Sequence, residues 1–192
     1  MRVAFAVILV VAAVAAASAS ASPGLQLGIT DSGDAYFADP GTFYPVLGEL
    51  DSKLLRVHLN WGGKLGVAQR RPQDGADPAD PAYDWSRYDA IVLDADAQDI
   101  RIVFSIFGTP RWANGGQLPT RAPRDASELQ DFAFAAAERY GGDYMRDDGI
   151  VLPAVKQWTA WNEPNLPIGL VPQWKRVGGR WIIQSAIDYA RI

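Results

Sequence analysis

Gln157-Trp158-Thr159-Ala160-Trp161-Asn162-Glu163-Pro164-Asn165 is a short apolar, aromatic and β-branched run that ends abruptly in an amide, a carboxylate and a proline. It reads as a buried strand that stops at a polar tip. In a β/α barrel, loops leaving the C-terminal strand ends converge over a packed interior and carry the working residues. Pro164 has no N–H and disfavours helical geometry at the residue before it, so Glu163 is expected to be extended, with the ladder ending there.

Upstream, the pattern repeats strand then helix. Gly24 to Asp31 is a first strand, closed by the turn cluster Asp31-Ser32-Gly33-Asp34. Asp39-Pro40-Gly41 opens a helix whose apolar face is expected to be Phe43, Val46, Leu47 and Leu50. In the second strand, Lys53 to Trp61, a period of two sets Arg56, His58 and Asn60 on one face and Leu55, Val57 and Leu59 on the other. A helix over Ser86 to Gln98 buries Tyr88, Ile91, Val92 and Ala95. Asp99 to Pro110 is a third strand, nearly continuous in apolar residues as a parallel strand covered on both faces should be. Asp125-Ala126-Ser127-Glu128 caps the next helix, striped by Leu129, Phe132, Ala136 and Tyr140 and closed by Gly141-Gly142. The fourth strand starts at Val155, and Ile182 to Arg191 opens a fourth helix. Such alternation predicts a parallel sheet with right-handed crossovers, an α/β fold. The connection from Gly62 to Tyr83 is longer than compact domains usually allow, and fits either a wall of a binding site or a solvated insertion.

Trp161-Asn162-Glu163-Pro164 resembles the motif that ends the fourth strand in the clan A retaining glycoside hydrolases, (β/α)8 TIM-barrel enzymes of the family 39 and family 5 type. Thr109-Pro110-Arg111-Trp112 is similar to the tip of their third strand, and Arg56 stands where the clan carries an arginine on its second. The resemblance implies that Glu163 is the general acid/base, that Asn162 binds the sugar 2-hydroxyl, and that Arg56 holds the nucleophile carboxylate. Substrate contacts are expected at Arg56, His58, Asn60, Asn162, Trp112 and Trp161, with Trp61 a further candidate platform; indoles can pack on pyranose faces while the amides give directional hydrogen bonds. His58 is the sole histidine, so neither a His-based triad nor a two-His metal site can form, and a site-wall or core role fits it better than that of a base.

The resemblance also exposes a gap. A (β/α)8 barrel takes about 250 residues, whereas this sequence of 192 supplies strands for its first half. In the clan the nucleophile is a second Glu on the seventh strand. Retaining hydrolysis needs two carboxyl groups about 5–5.5 Å apart, and beyond Glu163 the sole side-chain carboxylate is Asp188. Asp31, at the first strand tip, could serve only an inverting pair. The enzyme reading is therefore set against a non-enzymatic carbohydrate-binding or degenerate half-barrel, and the 192 residues alone are expected to be inert. An open half-barrel is also expected to self-associate through its edge strands.

Residues 1–22 read as a signal peptide, with Arg2, an apolar run from Val3 to Val14 and an Ala/Ser tract offering small-residue cleavage sites. The run is shorter than the roughly 20 residues of a spanning helix. Residues 23–192 then form the half-barrel, secreted and free of the membrane after cleavage. With no cysteine, disulfides and thiolate metal sites are excluded. A net charge of −4 with scattered Lys and Arg gives no sign of a nucleic-acid partner, and no metal or organic cofactor is implied.

Overall fold

The computed structural model describes residues 24–192, so the signal-peptide segment lies outside the described residues. Four strands, β1 (Gly28–Thr30), β2 (Leu54–Asn60), β3 (Arg101–Phe107) and β4 (Gln157–Ala160), form a parallel sheet in sequence order. Register places Leu55 beside Ile102, Val57 beside Phe104 and Leu59 beside Ile106, while Phe104 meets Trp158. These residues make one apolar face. The other carries Arg56, His58 and Asn60 from β2, opposite Val103, Ser105 and Phe107 of β3, with Thr159 of β4 beside Ser105.

Helices α2 (Pro40–Glu49), α3 (Ser86–Asp96) and α5 (Ser127–Arg139) supply the apolar layer that covers the first face. The expected stripes of α3 and α5 are buried. On α2 the buried residues are Phe43, Tyr44 and Leu47, while Val46 and Leu50 are exposed. The face is turned because Tyr44 packs edge-on against Phe43 and donates its hydroxyl to Ile91 O at 3.2 Å. Phe132 of α5 lies at the centre, stacked on Trp85 at 5.6 Å and on Trp61 at 5.8 Å between centroids.

The first strand is much shorter than the sequence predicts. The turn cluster after it is a helix, α1 (Ser32–Phe37), capped by Asp31, whose Oδ1 accepts from Asp34 N at 2.9 Å. Backbone accounting explains the exchange. Past Thr30 the β1 side of β2 has no strand to pair with, and buried backbone groups need partners. Side chains supply them: Ser32 Oγ accepts from His58 N, Tyr36 OH donates to His58 O, and Tyr88 OH accepts from Asn60 N.

The Gly62–Tyr83 connection is tied onto the core rather than standing open as an insertion, and its first part, with Pro110 and Arg111, lines a hollow past the β3 tip. Asp80, 6% exposed, gathers the backbone N–H groups of Gln73, Asp74 and Ala82. Tyr83 OH donates to Gly75 O and Trp85 Nε1 to Pro78 O, which fixes the loop onto the core. Ile182 and Ile183 do not begin a helix. They belong to a hairpin, β5 (Trp174–Val177) with β6 (Arg180–Ile183), turned at Gly178-Gly179, both at positive φ as a two-residue hairpin turn requires. Helix α6 (Gln184–Arg191) follows. No helix among the described residues is long and apolar enough to cross a membrane.

Candidate active site

The parallel strands end together, and their following segments gather at one end of the sheet. At the tip of β3 the chain turns at Gly108 (φ +78°) into the short helix α4 (Arg111–Asn114). Gly62, just past β2, passes this turn so closely that a Cβ on it would lie 2.2 Å from Pro110 N. Only glycine permits that approach.

The tip of β4 departs from the expected extended geometry. Trp161 (φ +63°) and Glu163 (φ +46°) both sit in the left-handed region, which costs non-glycine residues on the order of 1–3 kcal/mol each. The surroundings compel it. Trp161 folds back into the core, where its Nε1 donates to Gly169 O at 2.9 Å and its ring meets Phe107. Glu163 O accepts from Leu166 N at 3.0 Å, closing a turn. Gly169 lies against this turn with no room for a side chain, since a Cβ there would meet Glu163 O at 2.0 Å. These contacts prevail over the Pro164 preference and leave the Glu163 side chain exposed at the strand tip.

Beside it, Asn162 is joined to β2. Arg56 Nη2 donates to Asn162 Oδ1 at 3.0 Å and to Ser105 Oγ at 2.6 Å, and Ser105 Oγ also hydrogen-bonds Thr159 Oγ1. Arg56, half-buried, has no carboxylate within ion-pair distance among the described residues. Its fixed charge faces the open side of the sheet. Asn60 is held one layer up, its Nδ2 donating to Tyr36 OH and Tyr88 OH. That fixes Asn60 from α1 and α3, and it uses donors that a ligand would otherwise meet. Asp31 is likewise engaged as the α1 cap.

His58 lies between these groups, packed on Phe107 at 5.5 Å. Burial pushes its pKa below the ordinary 6.5, a hydrogen bond with Asn162 opposes the shift, and the neighbouring Arg56 charge adds to it. The neutral ring is thus favoured in the folded chain. As pH falls, the unfolded chain takes up this proton first, so the contribution of neutral His58 to stability is full above about 6.5 and is lost as pH drops through the lower folded value. With one histidine in the sequence, the imidazole proton NMR signal is unambiguous. We expect its midpoint below 6.5, and a midpoint at or above that value would contradict the buried setting.

The tryptophans are the main correction. Trp61 is wholly buried and Trp161 is 3% exposed, so neither offers a face to a ligand. Trp112 is half-buried, edge-on to Trp61, with its Nε1 donating to Ala68 O and the Arg71 guanidinium 4.9 Å over its ring. The exposed aromatics near the Glu163 tip are Trp174 and Tyr189, which with Pro164 and Asn165 line a hollow of about 350 Å³. Neither was expected from the sequence. The signal was the Gly-Gly pair between two aromatic and β-branched runs, which marks a hairpin and sends Trp174 outwards.

No family model and no curated protein matches the sequence. Solved structures do. A glucosidase from Croceicoccus marinus overlaps with a TM-score of 0.53 at 18% identity, over 74% of this chain and 29% of that one. Weaker overlaps, both with a TM-score of 0.45, are with a family 39 glycoside hydrolase from the gut symbiont Bacteroides cellulosilyticus WH2 (18% identity, 73% of this chain, 25% of that one) and an endo-1,4-beta-mannanase from Rhizomucor miehei (16%, 72% and 44%). At such identity the first likeness speaks to the fold of the successive strand–helix units, and the chain spans under a third of that glucosidase's length.

Proposed function

We propose that this chain is the first half of a (β/α)8 glycoside-hydrolase barrel and carries the acid/base side of its site. One observation carries the reading: Asn162, at the β4 tip beside Glu163, is tied to Arg56 on the inner face of β2. A fixed amide, an exposed carboxylate and a guanidinium that meets no carboxylate among the described residues thus share one end of a parallel sheet. In the proposed mechanism Glu163 protonates the leaving oxygen and later deprotonates water, Asn162 contacts the sugar 2-hydroxyl, and Arg56 holds a nucleophile carboxylate, giving retention.

The 192 residues alone are inert in this reading. Asp188, the sole other side-chain carboxylate after Glu163, lies on α6, accepting from Gln184 Nε2 and facing Arg191. A second reading is carbohydrate binding without hydrolysis, for which the exposed Trp174 and Tyr189 beside Pro164 and Asn165 offer aromatic faces. A barrel carrying both halves decides between them: loss of hydrolysis on replacing Glu163 supports the first, and a barrel that binds oligosaccharide without cleaving it supports the second.

Two further proposals follow from the sequence and the sheet. The apolar N-terminal run and its Ala/Ser tract support export, with a mature N-terminus at Ser20 or Ser22; Met1 intact on protein recovered from the medium would refute it. Strands β1 and β4 are the sheet edges, and exposed edges invite pairing. Residues 23–192 are therefore expected to sediment as dimers or larger species, and a monodisperse monomer would refute this.

A further inference from the structure

A cleft of about 600 Å³ lies outside the residues assigned above. One wall is the connection from β3 to α5, the other the segment from Pro172 through α6. The walls are joined: Val171 N donates to Thr120 O at 2.9 Å, and Arg191 Nη2 to Pro123 O at 3.0 Å. Both arise from the C-terminal ends of neighbouring strands, β3 and β4, the latter the strand that presents Glu163.

Its charge is opposite to that of the chain. The sequence carries −4 overall, yet Arg121, Arg124, Lys175 and Arg191 line the cleft against the single carboxylate of Asp188. Asp188 is already met by Arg191 at 3.7 Å and by Gln184. Arg121, Arg124 and Lys175 have no carboxylate within ion-pair distance among the described residues. Arg124 is also sterically placed, because its guanidinium lies against Gly115, where a Cβ would be 2.1 Å from Nη2. A cleft walled by one sign of charge attracts the opposite charge, and guanidinium groups match carboxylate and sulfate oxygens in pairs.

We infer that this cleft is a subsite for an anionic glycan, one bearing carboxylate or sulfate groups. The inference rests on the glycoside-hydrolase reading and names its substrate class. The cleft volume suits one or two sugar rings, and Gln117 and Gln184 at its margin offer amides to hydroxyls.

Titration calorimetry of the 192-residue chain tests it with four probes: a uronic-acid tetrasaccharide, a sulfated tetrasaccharide, an uncharged one of equal length, and inorganic sulfate. A charged tetrasaccharide should bind at least about tenfold more tightly than the uncharged one at low salt. The advantage should vanish in strong salt, in the Arg121→Gln/Arg124→Gln double variant and largely in Lys175→Gln, with melting unchanged in each. Preference for the uronate or the sulfated probe then distinguishes the two sources. Equal binding of charged and uncharged probes, unaffected by the substitutions, would overturn the anionic subsite while leaving a glycan site intact. Arginine-dependent binding of inorganic sulfate with no tetrasaccharide bound would overturn the glycan reading itself.

Discussion

Replacing Asp89 by alanine is expected to destabilise the chain by about 3–5 kcal/mol, the usual result of removing one partner from a buried ion pair. Asp89 is 3% exposed on α3 and Arg139 9% exposed on α5. Arg139 donates through Nε to Oδ1 at 2.9 Å and through Nη2 to Oδ2 at 2.6 Å, a two-bond fork. Tyr140 OH adds a third bond to Oδ1 at 3.1 Å, and Arg146 stands 3.7 Å from Oδ2. The guanidinium is meanwhile packed over Tyr144 at 4.7 Å and Trp85 at 5.6 Å. Without Asp89, Arg139 would remain buried in that aromatic setting with no counter-charge, and Tyr140 OH would lose its acceptor. Denaturant unfolding measures the loss. The double variant Asp89→Leu/Arg139→Met should recover much of it, since an apolar pair of similar volume avoids the orphaned charge. A single variant within about 1 kcal/mol of the parent would mean that the network is solvated and carries little.

The layers of this fold were legible because periodicity reports them directly. The alternation of Leu55, Val57 and Leu59 against Arg56, His58 and Asn60 corresponds to the two faces of β2, and the stripe of α5 is buried as read. What escaped depends on groups far apart in sequence. The shortening of β1 follows from Ser32 and Tyr36 taking over the β2 backbone at His58, a partnership no local window contains. The inward turn of Trp161 depends on Gly169 O as an acceptor and on the gap that Gly169 leaves. An indole at a strand tip carries the same sequence signal whether it faces ligand or core. The hairpin was different: Gly178-Gly179 between Trp174 and Trp181 was a readable turn, and the expected helix from Ile182 gave Ile182 and Ile183 the wrong period.

In a barrel that joins this chain to a second half, Glu163→Ala is expected to slow hydrolysis of glycosides with poor leaving groups by about 10²–10⁴-fold. A departing alkoxide must be protonated as its bond breaks, so Glu163 must be neutral at the working pH. A nucleophile carboxylate nearby favours that neutral form, because two like charges at about 5 Å resist joint ionisation. Arg56, which donates to Asn162 at the β4 tip and to Ser105 on β3 and meets no carboxylate among the described residues, would set that nucleophile in place. Activated aryl glycosides leave without a proton, so their first step should be nearly unchanged in the variant. The glycosyl-enzyme would then accumulate for want of a base, and azide, a nucleophile that needs no deprotonation, should restore turnover and yield a glycosyl azide of retained configuration. The 192 residues without the second half should show none of this. Equal loss on both substrate types without azide rescue would remove Glu163 from the acid/base role, and hydrolysis by the 192 residues alone would show that the nucleophile lies among the carboxylates already present.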